Sequence, residues 1–340
     1  MAAPPVKTWS TPVSAEEKKL IPCAVCGGQR FSPSLSCEGF SYVRCDVCRL
    51  VQMNPQPLPS EIRKRYNKMR DASASGDLHA GTAFGDLHAG VVSGDLHAGD
   101  YLAYELANEE AFLNLQLLAL ADAGFNELEG ELLPGTKQPL GVNGKASCNK
   151  PRVLDIGCAT GSLLERLKGR GWETTGIEIS AAQAEYGRQK RGLDVRDLPL
   201  EENLFPAESF DVVLASHLIE HVNDPAALVH EVHRILAPGG RFFVTTPNIA
   251  GFQAKLFGSR WRSAIFDHLY LFSATTLSRL LRQQGFVIEK IATWGGLAAG
   301  TAPLPVKRLF DKAAKRFGWG DVMIVRARPK ALDDSGIPAA

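Results

Sequence analysis

Four cysteines near the start of the chain have the spacing of a metal site. They form two pairs, Cys23-x-x-Cys26 and Cys45-x-x-Cys48, with eighteen residues between the pairs. Four thiolates at this spacing typically bind one zinc ion, and a closed set of four leaves no coordination position for a substrate. The pattern therefore predicts a structural zinc that folds a segment too short to have its own core. Two disulfides, or four unrelated thiols, are the alternatives.

A second group combines a glycine turn with two acids. Asp155, Gly157, Ala159 and Gly161 lie between a short apolar run and a helical pattern, and Glu178 ends the next apolar run. Glycines let a ligand approach the main chain, and the start of a helix offers unpaired N–H groups. A carboxylate can accept hydrogen bonds from both hydroxyls of a ribose. Since the glycines do not follow the Gly-x-Gly-x-x-Gly pattern, the turn argues against NAD.

Three histidines are candidates for a catalytic base. His217 and His221 flank Glu220 just after a predicted strand, and His268 lies further along the chain. Imidazole is the side chain best suited to accept a proton near neutral pH. We therefore expect one of the three to deprotonate a substrate.

The elements that must position these residues alternate between strand and helix. Such alternation is typical of βαβ units and predicts an α/β fold with a doubly wound, mostly parallel sheet. Ligands bind such sheets beyond the carboxyl ends of the strands, at the switch point. We therefore expect one edge of the sheet to carry Asp155, Glu178, Asp197, Ser216 and His217.

The composition excludes some classes of partner. The chain has 340 residues and a formal net charge of +1, so it has no global field for nucleic acid or for an anionic membrane. The net charge of the whole chain does not exclude a local basic patch. No run approaches the ~20 apolar residues that span a bilayer, and no signal peptide is evident. We therefore expect a cytoplasmic protein without a membrane span.

Several segments together resemble the class I S-adenosylmethionine (SAM) dependent methyltransferases. The turn at 155–161 is similar to their motif I, Asp/Glu-x-Gly-x-Gly-x-Gly, with Ala159 at the middle glycine. Later blocks look like those of bacterial small-molecule methyltransferases: FDVVLASHLIEHVNDP, RILAPGGRFFVTTPN and HLYLFSATTLSRLLRQQGF. The resemblance covers about residues 20–330, without the repeat and linker described below. It implies a Rossmann-like SAM-binding fold behind a small N-terminal zinc ribbon.

The resemblance also implies a role for individual residues. The methionine part of SAM would be bound by Asp155, Gly157, Ala159 and Gly161, the ribose by Glu178, and the adenine beside Asp197 and Leu198, with Ser216 and His217 near the sulfonium. The spacing of His217, Glu220 and His221 is similar to the Glu-x-x-Glu-His run that holds a divalent ion in some ubiquinone-pathway O-methyltransferases. That likeness implies magnesium. The alternative is that Glu220 and His221 orient a pocket helix.

The expected reaction is methyl transfer from SAM to a hydroxyl. The acceptor would be a small-molecule, quinone-like or glycosidic compound, including a glycan or lipid precursor. One alternative is an rRNA methyltransferase with a zinc ribbon, which the sparse basic residues near the ribbon do not favour. Another is a non-catalytic zinc-bearing interaction module, in which Ala159 has disabled the cofactor turn. The sequence does not indicate an oligomeric state.

The predicted organisation has six parts. They are a tail (1–20), the zinc-ribbon-like module (21–58), a helical cap (59–123), a linker (124–150), the SAM-binding core (151–292) and a C-terminal strand and substrate segment with a tail (293–340). The cap contains an insertion at 76–102, in which GDLHAG recurs every nine residues. We interpret this repeat as a tandem duplication in an exposed loop, because it lacks apolar periodicity. An array of metal ligands is the alternative.

Overall fold

The structure, a computed structural model, describes residues 18–37, 39–58, 60–62, 98–133, 150–296 and 303–330. Its largest element is a seven-stranded sheet in the order β12-β13-β10-β9-β6-β7-β8. The strands are β6 (Arg152–Ile156), β7 (Glu173–Ile177), β8 (Asp194–Arg196), β9 (Phe210–Ser216), β10 (Leu236–Pro247), β12 (Phe286–Trp294) and β13 (Val322–Pro329). Only β13 runs antiparallel to its two neighbours. The predicted doubly wound, mostly parallel sheet is confirmed.

The strand order contains one switch point. From β6 the chain winds outward through β7 and β8, and then crosses back to add β9 and β10 on the other side of β6. Neighbouring connections therefore leave the sheet in opposite directions beyond the carboxyl ends of β6 and β9. A crevice for ligands forms at such a point.

Side chains of the central strands alternate between two apolar clusters. On β10, Phe242 and Val244 belong to one cluster and Phe243 to the other; on β9, Val213 and Val212 divide in the same way. This alternation follows from the two-residue period of a strand and means that both faces of the sheet are covered.

Each face of the sheet is covered by its own set of elements. One cluster contains residues of α1 (Ala98–Asp122), α2 (Phe125–Leu132), α3 (Ser162–Gly169) and α4 (Ala181–Arg191). The other contains residues of α5 (Pro225–Ile235), α6 (Phe252–Phe257) and α7 (Ala274–Gln283) together with the N-terminal segment. Helix α8 (Leu304–Phe317) connects β12 to β13.

The N-terminal segment forms small sheets that are joined to the core. Strands β2 (Phe31–Cys37), β3 (Phe40–Cys45) and β4 (Val51–Met53) form a meander, and β1 (Lys18–Lys19) pairs with β5 (Gln56–Pro57). Strand β4 continues the meander by pairing with β11 (Tyr270–Leu271) of the core. The zinc-ribbon-like module therefore shares a sheet with the second half of the chain.

Three predicted boundaries need correction. The linker does not begin at 124, because α2 follows at once and buries Phe125 and Leu128; Gly124 (φ +85°) turns the chain between two helices. The insertion does not extend to 102, because α1 begins at Ala98. The C-terminal segment belongs to the core, since β13 pairs with both β12 and β10 inside its sheet. The rest of the repeat lies outside the described residues.

Among the helices that the structure describes, none combines the length and the apolar character needed to cross a bilayer.

Candidate functional site

The glycine turn after β6 has the backbone shape that its residues predict. Gly157 and Gly161 both have positive φ, at +78° and +81°. A Cβ on Gly161 would lie 2.5 Å from Leu193 Cδ1, so a side chain there would require Leu193 to move. Ala159 is also left-handed, at φ +52°, a conformation that glycine adopts more readily. The turn therefore keeps its shape with alanine at the middle position.

Glu178 lies at the end of β7 and holds this turn. Its Oε2 accepts a hydrogen bond from Ala159 N at 3.0 Å, and its Oε1 accepts one from Ser180 N at 2.7 Å. The side chain is buried, and burial raises the pKa of Glu178 to about 7. Each oxygen keeps a second lone pair for a ligand hydroxyl. The sequence analysis did not foresee this contact between the carboxylate and the turn.

Two further acids that the sequence analysis missed reach the turn from α1. Glu105 accepts a hydrogen bond from Thr160 N at 3.3 Å and another from Gln183 Nε2, and Glu109 accepts one from Thr160 Oγ1 at 2.9 Å. Burial raises the pKa of Glu105. Their spacing of four residues puts both on one face of the helix, and this was the available signal.

A cavity that opens to solvent, with about 410 Å³ of empty space including its open part, lies between α1 and the carboxyl ends of the central strands. Its walls are mostly apolar and include Trp294, while its polar lining includes Asp155, Ser216 and His217. Burial raises the pKa of Asp155 to about 7. The structure thus brings three of the predicted site residues to one cavity beside the switch point.

Asp197 and Leu198 follow β8 directly, at the same edge of the sheet. Leu198 is about half exposed, and Asp197 lies 3.7 Å from Arg188. Neither residue lines the cavity. Their contact with adenine stays a prediction.

His217 lines the cavity and lies in a strained turn of the backbone. It follows β9 with a left-handed φ of +51°, and its N–H donates to Thr245 O at 2.9 Å. Its Nδ1 lies 3.2 Å from Glu220 Oε1, at ion-pair distance, although the two are not aligned as a hydrogen bond. Its Nε2 is buried and has no hydrogen-bond partner among the described residues. That nitrogen is available to a ligand.

Glu220 is fully buried between hydroxyl and imidazole groups. Thr246 Oγ1 donates to its Oε2 at 2.9 Å, whereas Oε1 has no aligned donor among the residues described. Burial opposes its ionisation, whereas contact with His217 and the nearby imidazoles of His221 and His268, when they are protonated, lower the pKa of Glu220 to about 2.

His221 and His268 are buried next to Glu220 and do not line the cavity. Their rings pack edge to face with centroids 4.7 Å apart. His221 Nδ1 lies 3.0 Å from Asp267 O, and His268 Nδ1 lies 2.9 Å from Ser263 O. Burial lowers the pKa of His268 to about 3. These contacts fix both rings with Nε2 as the lone-pair nitrogen.

Three potential metal ligands therefore meet in this buried group. One ligand atom each from Glu220, His221 and His268 lies within 4.8 Å of the others. Metal-binding histidines commonly donate their other ring N–H to a carbonyl, as both do here. The orphaned oxygen of Glu220 fits the same interpretation. The structure thus groups His268 with Glu220 and His221, where the sequence predicted His217 as the third ligand.

The four cysteines come together as predicted. Their sulfurs lie within 4.8 Å of one another, with Cys23 and Cys48 3.3 Å apart and Cys26 and Cys45 3.5 Å apart. Burial raises the pKa of Cys23 and so disfavours its thiolate form. Several thiolates this close together therefore need a cation to stabilise them. A Cβ on Gly28 would lie 3.3 Å from two of the sulfurs, which explains a glycine there. The donor set fits one tetrahedral zinc ion.

The ribbon also contacts the segment that carries His268. The Tyr42 hydroxyl lies 2.6 Å from Ile265 O and 2.8 Å from His268 O, and Met53 N donates to Leu269 O at 2.8 Å. The position of His268 therefore depends on the ribbon.

Comparisons with known proteins agree with this geometry. A family model described as a methyltransferase domain matches residues 114–291. A ubiquinone biosynthesis O-methyltransferase from Pseudomonas aeruginosa is 36% identical over 120 residues, which cover 32% of this chain and 51% of that protein. A protein of the same name from Xylella fastidiosa is 30% identical over 172 residues, which cover 44% of this chain and 67% of that protein.

The chain thus spans about half the length of the Pseudomonas relative. Among solved structures, a SAM-dependent methyltransferase from Thermotoga maritima, a possible histamine N-methyltransferase, is 25% identical with a TM-score of 0.43; the match covers 65% of this chain and 98% of that one. Since the family model matches more than half of the chain, this protein belongs to the class I SAM-dependent methyltransferases.

Proposed function

We propose that this protein transfers the methyl group of SAM to a hydroxyl of a small, quinone-like acceptor. The observation that carries the proposal is His217, which lines a mostly apolar cavity, has a buried and unpartnered Nε2, and has its Nδ1 beside the carboxylate of Glu220. An imidazole held between a substrate and a carboxylate can accept a proton and be stabilised once charged. The names of the relatives favour a quinone-like acceptor over a glycosidic one.

SAM, when bound, supplies a methyl group on a positively charged sulfur. His217 Nε2 would accept the hydroxyl proton of the acceptor as its oxygen takes up the methyl group, and the sulfur of SAM would leave with the electron pair of its bond to that methyl group. The carboxylate of Glu220 stabilises the resulting imidazolium, and the proton then passes to solvent. The remaining contribution of the protein is to align the acceptor oxygen with the methyl carbon, and we assign this role to the apolar walls of the cavity.

The test is a methyl-transfer assay with labelled SAM and a prenylated catechol. We expect a labelled methyl ether, and His217→Ala should lower turnover by roughly 10²- to 10⁴-fold, the contribution typical of a general base. SAM affinity should be unchanged. His230→Ala, which changes an exposed histidine of α5, is the control. Transfer that persists in His217→Ala, or label found only on nitrogen or carbon acceptors, would contradict the proposal.

We further propose that Glu220, His221 and His268 hold a divalent transition-metal ion. Two imidazoles and one carboxylate suit zinc, iron or manganese better than magnesium, which prefers oxygen ligands. Such an ion, when bound, would hold together the buried segments that carry Glu220, His221 and His268 behind the cavity.

Titration with manganese tests whether the site prefers this ion to magnesium. The spectroscopic signal of the free manganese ion reports how much of it is bound. We expect manganese to bind more tightly than magnesium, and His268→Ala to lose about ten- to a hundredfold in affinity. His233→Ala, on α5, is the control because it lies outside the group. Equal binding by the parent protein and His268→Ala would rule out this site.

A further inference from the structure

Helix α8 has an apolar stripe that faces away from the protein. Val306, Leu309, Phe310 and Phe317 recur at helical spacing and are all exposed, Leu309 by 66% and Phe317 by 57%. Among the residues of this helix whose side chains the structure describes, Ala314 alone is buried, and its carbonyl accepts a hydrogen bond from Thr293 Oγ1. A surface helix normally turns such a stripe toward the core, and here the described residues leave it uncovered.

The stripe continues onto α6. The rings of Phe252 and Phe310 lie 5.9 Å apart, and Phe252 N donates to Trp319 O. Trp319 is half exposed and stacks on Phe317 at 5.0 Å, and Leu256 on α6 is exposed by 58%. These residues of α6, α8 and the segment after α8 form one apolar patch, which we call the α6–α8 surface.

Basic side chains surround this patch. Helix α8 carries five basic residues, Lys307, Arg308, Lys312, Lys315 and Arg316, and a single acid, Asp311. Lys307 pairs with Asp311 and Lys315 with Asp122, whereas Arg308, Lys312 and Arg316 are exposed. The whole chain has a formal charge of only +1, so the positive charge is concentrated locally. An apolar stripe bordered by cations is the pattern of a helix that lies in the interface of an anionic bilayer.

The topology puts this surface at the same edge of the sheet as the cavity. Helix α8 connects the end of β12 to the start of β13. Trp294, the last residue of β12, pairs with Val322, the first residue of β13, and this pair lies beside the carboxyl end of the parallel strand β10. Trp294 also lines the cavity.

We infer that the α6–α8 surface binds anionic lipid membranes peripherally, with Leu309, Phe317 and Trp319 inserted among the lipids and Arg308, Lys312 and Arg316 at the headgroups. Charge decides the occupant, because a second copy of this chain would bring the same cations to the interface. The inference goes beyond the proposed function and does not depend on the identity of the acceptor.

Co-sedimentation of the full chain with vesicles tests the inference. We expect binding to vesicles of phosphatidylcholine mixed with phosphatidylglycerol, and much weaker binding to phosphatidylcholine alone. Lys312→Glu combined with Arg316→Glu should weaken binding by roughly 25-fold or more, since each basic residue near such a surface contributes about fivefold. Leu309→Ser should weaken it by roughly tenfold or more, through the loss of buried apolar area. Leu204→Ser, which changes a leucine exposed by 81% near β9, should bind as the parent does.

Unchanged melting temperature and SAM binding of each variant would show that it is folded, because none of these residues lies at the proposed SAM site. Absence of binding to anionic vesicles, or binding that Leu309→Ser and Leu204→Ser weaken equally, would overturn the inference. A concentration-dependent dimer that Leu309→Ser dissociates, without vesicle binding, would assign the surface to a second copy and overturn it as well.

Discussion

At the scale of single residues, Glu178 connects the cofactor turn to the second strand. The sequence analysis assigned it to the ribose alone, but the structure adds two backbone donors, Ala159 N and Ser180 N. Its removal therefore affects the turn as well as the ligand. The carboxylate is buried, so it belongs to the interior of the turn as well as to the crevice.

We predict that Glu178→Ala weakens SAM binding by about 1.5–3 kcal/mol, the range for hydrogen bonds to a charged group, which is roughly ten- to a hundredfold. Calorimetric titration of SAM into the purified protein measures it. Glu173→Ala, at the exposed start of the same strand, should bind SAM as the parent does. If the two variants bind SAM equally, the ribose is bound elsewhere.

Glu178 should also give the ligand-free protein a dependence of stability on pH. Its pKa is raised from 4.5 to about 7 in the folded state, because burial disfavours the charged form. A carboxyl group with a raised folded pKa binds more protons when folded, so its contribution to stability falls as the pH rises from 4.5 to 7. Glu178→Gln removes this contribution. The free energy of unfolding of the variant, measured relative to the parent by denaturant titration, should therefore increase over that interval by up to roughly 3 kcal/mol. A difference that is constant with pH would contradict this.

At the scale of elements, α1 does more than cap the sheet. Its apolar residues pack in the cluster on one face, while Glu105 and Glu109 contact the turn at Thr160. Hydrophobic periodicity revealed the first property, since it follows from the 3.6-residue repeat. Hydrophobic periodicity does not indicate which turn of the protein the polar face of the helix will contact.

The repeat before α1 gives a prediction at the same scale. Because α1 begins at Ala98, a deletion of 76–97 removes the repeat and leaves the helix complete. If the repeat is the exposed loop that its sequence predicts, SAM affinity and turnover should stay close to those of the parent, since shortening such a loop costs little closure entropy. Both are measured on the purified deletion protein. A folded deletion protein with much lower turnover would show that the repeat is functional.

At the scale of the whole molecule, the N-terminal four-cysteine segment and the methyltransferase core share a sheet. Tyr42 contacts the backbone at Ile265 and His268, so the ribbon supports the segment that carries one of the proposed metal ligands. The sequence predicted a zinc-ribbon-like module at 21–58 as a separate part of the chain. The strand pairing of β4 with β11 makes it part of the core.

We predict one zinc ion per chain in protein purified under reducing conditions, held by the four cysteines. Cys23→Ser should lose the zinc and lower the melting temperature, because the ion organises the ribbon. Turnover should fall through the loss of support at His268, while SAM affinity should change little. Elemental analysis and thermal unfolding measure these effects. Cys37→Ser is the matched control, since Cys37 lies in the same module outside the metal group. Zinc-free reduced protein would contradict the prediction.

The sequence by itself determined the sheet, the turn and the zinc-type cluster of cysteines. Each depends on local information: two- and 3.6-residue periodicity, glycines at positions that require positive φ, and short ligand spacing. The boundary at Gly124 was missed, because a glycine that ends a helix and one that joins two helices look alike in sequence.

Only the tertiary structure decided which histidine faces the cavity and which lie behind it. His217 and His221 are four residues apart, yet one lines the cavity and the other packs on His268. Tyr42 and His268, which are 226 residues apart, meet because β4 pairs with β11. Such contacts arise from packing between distant elements, and neither residue type nor spacing records the direction in which a side chain will point.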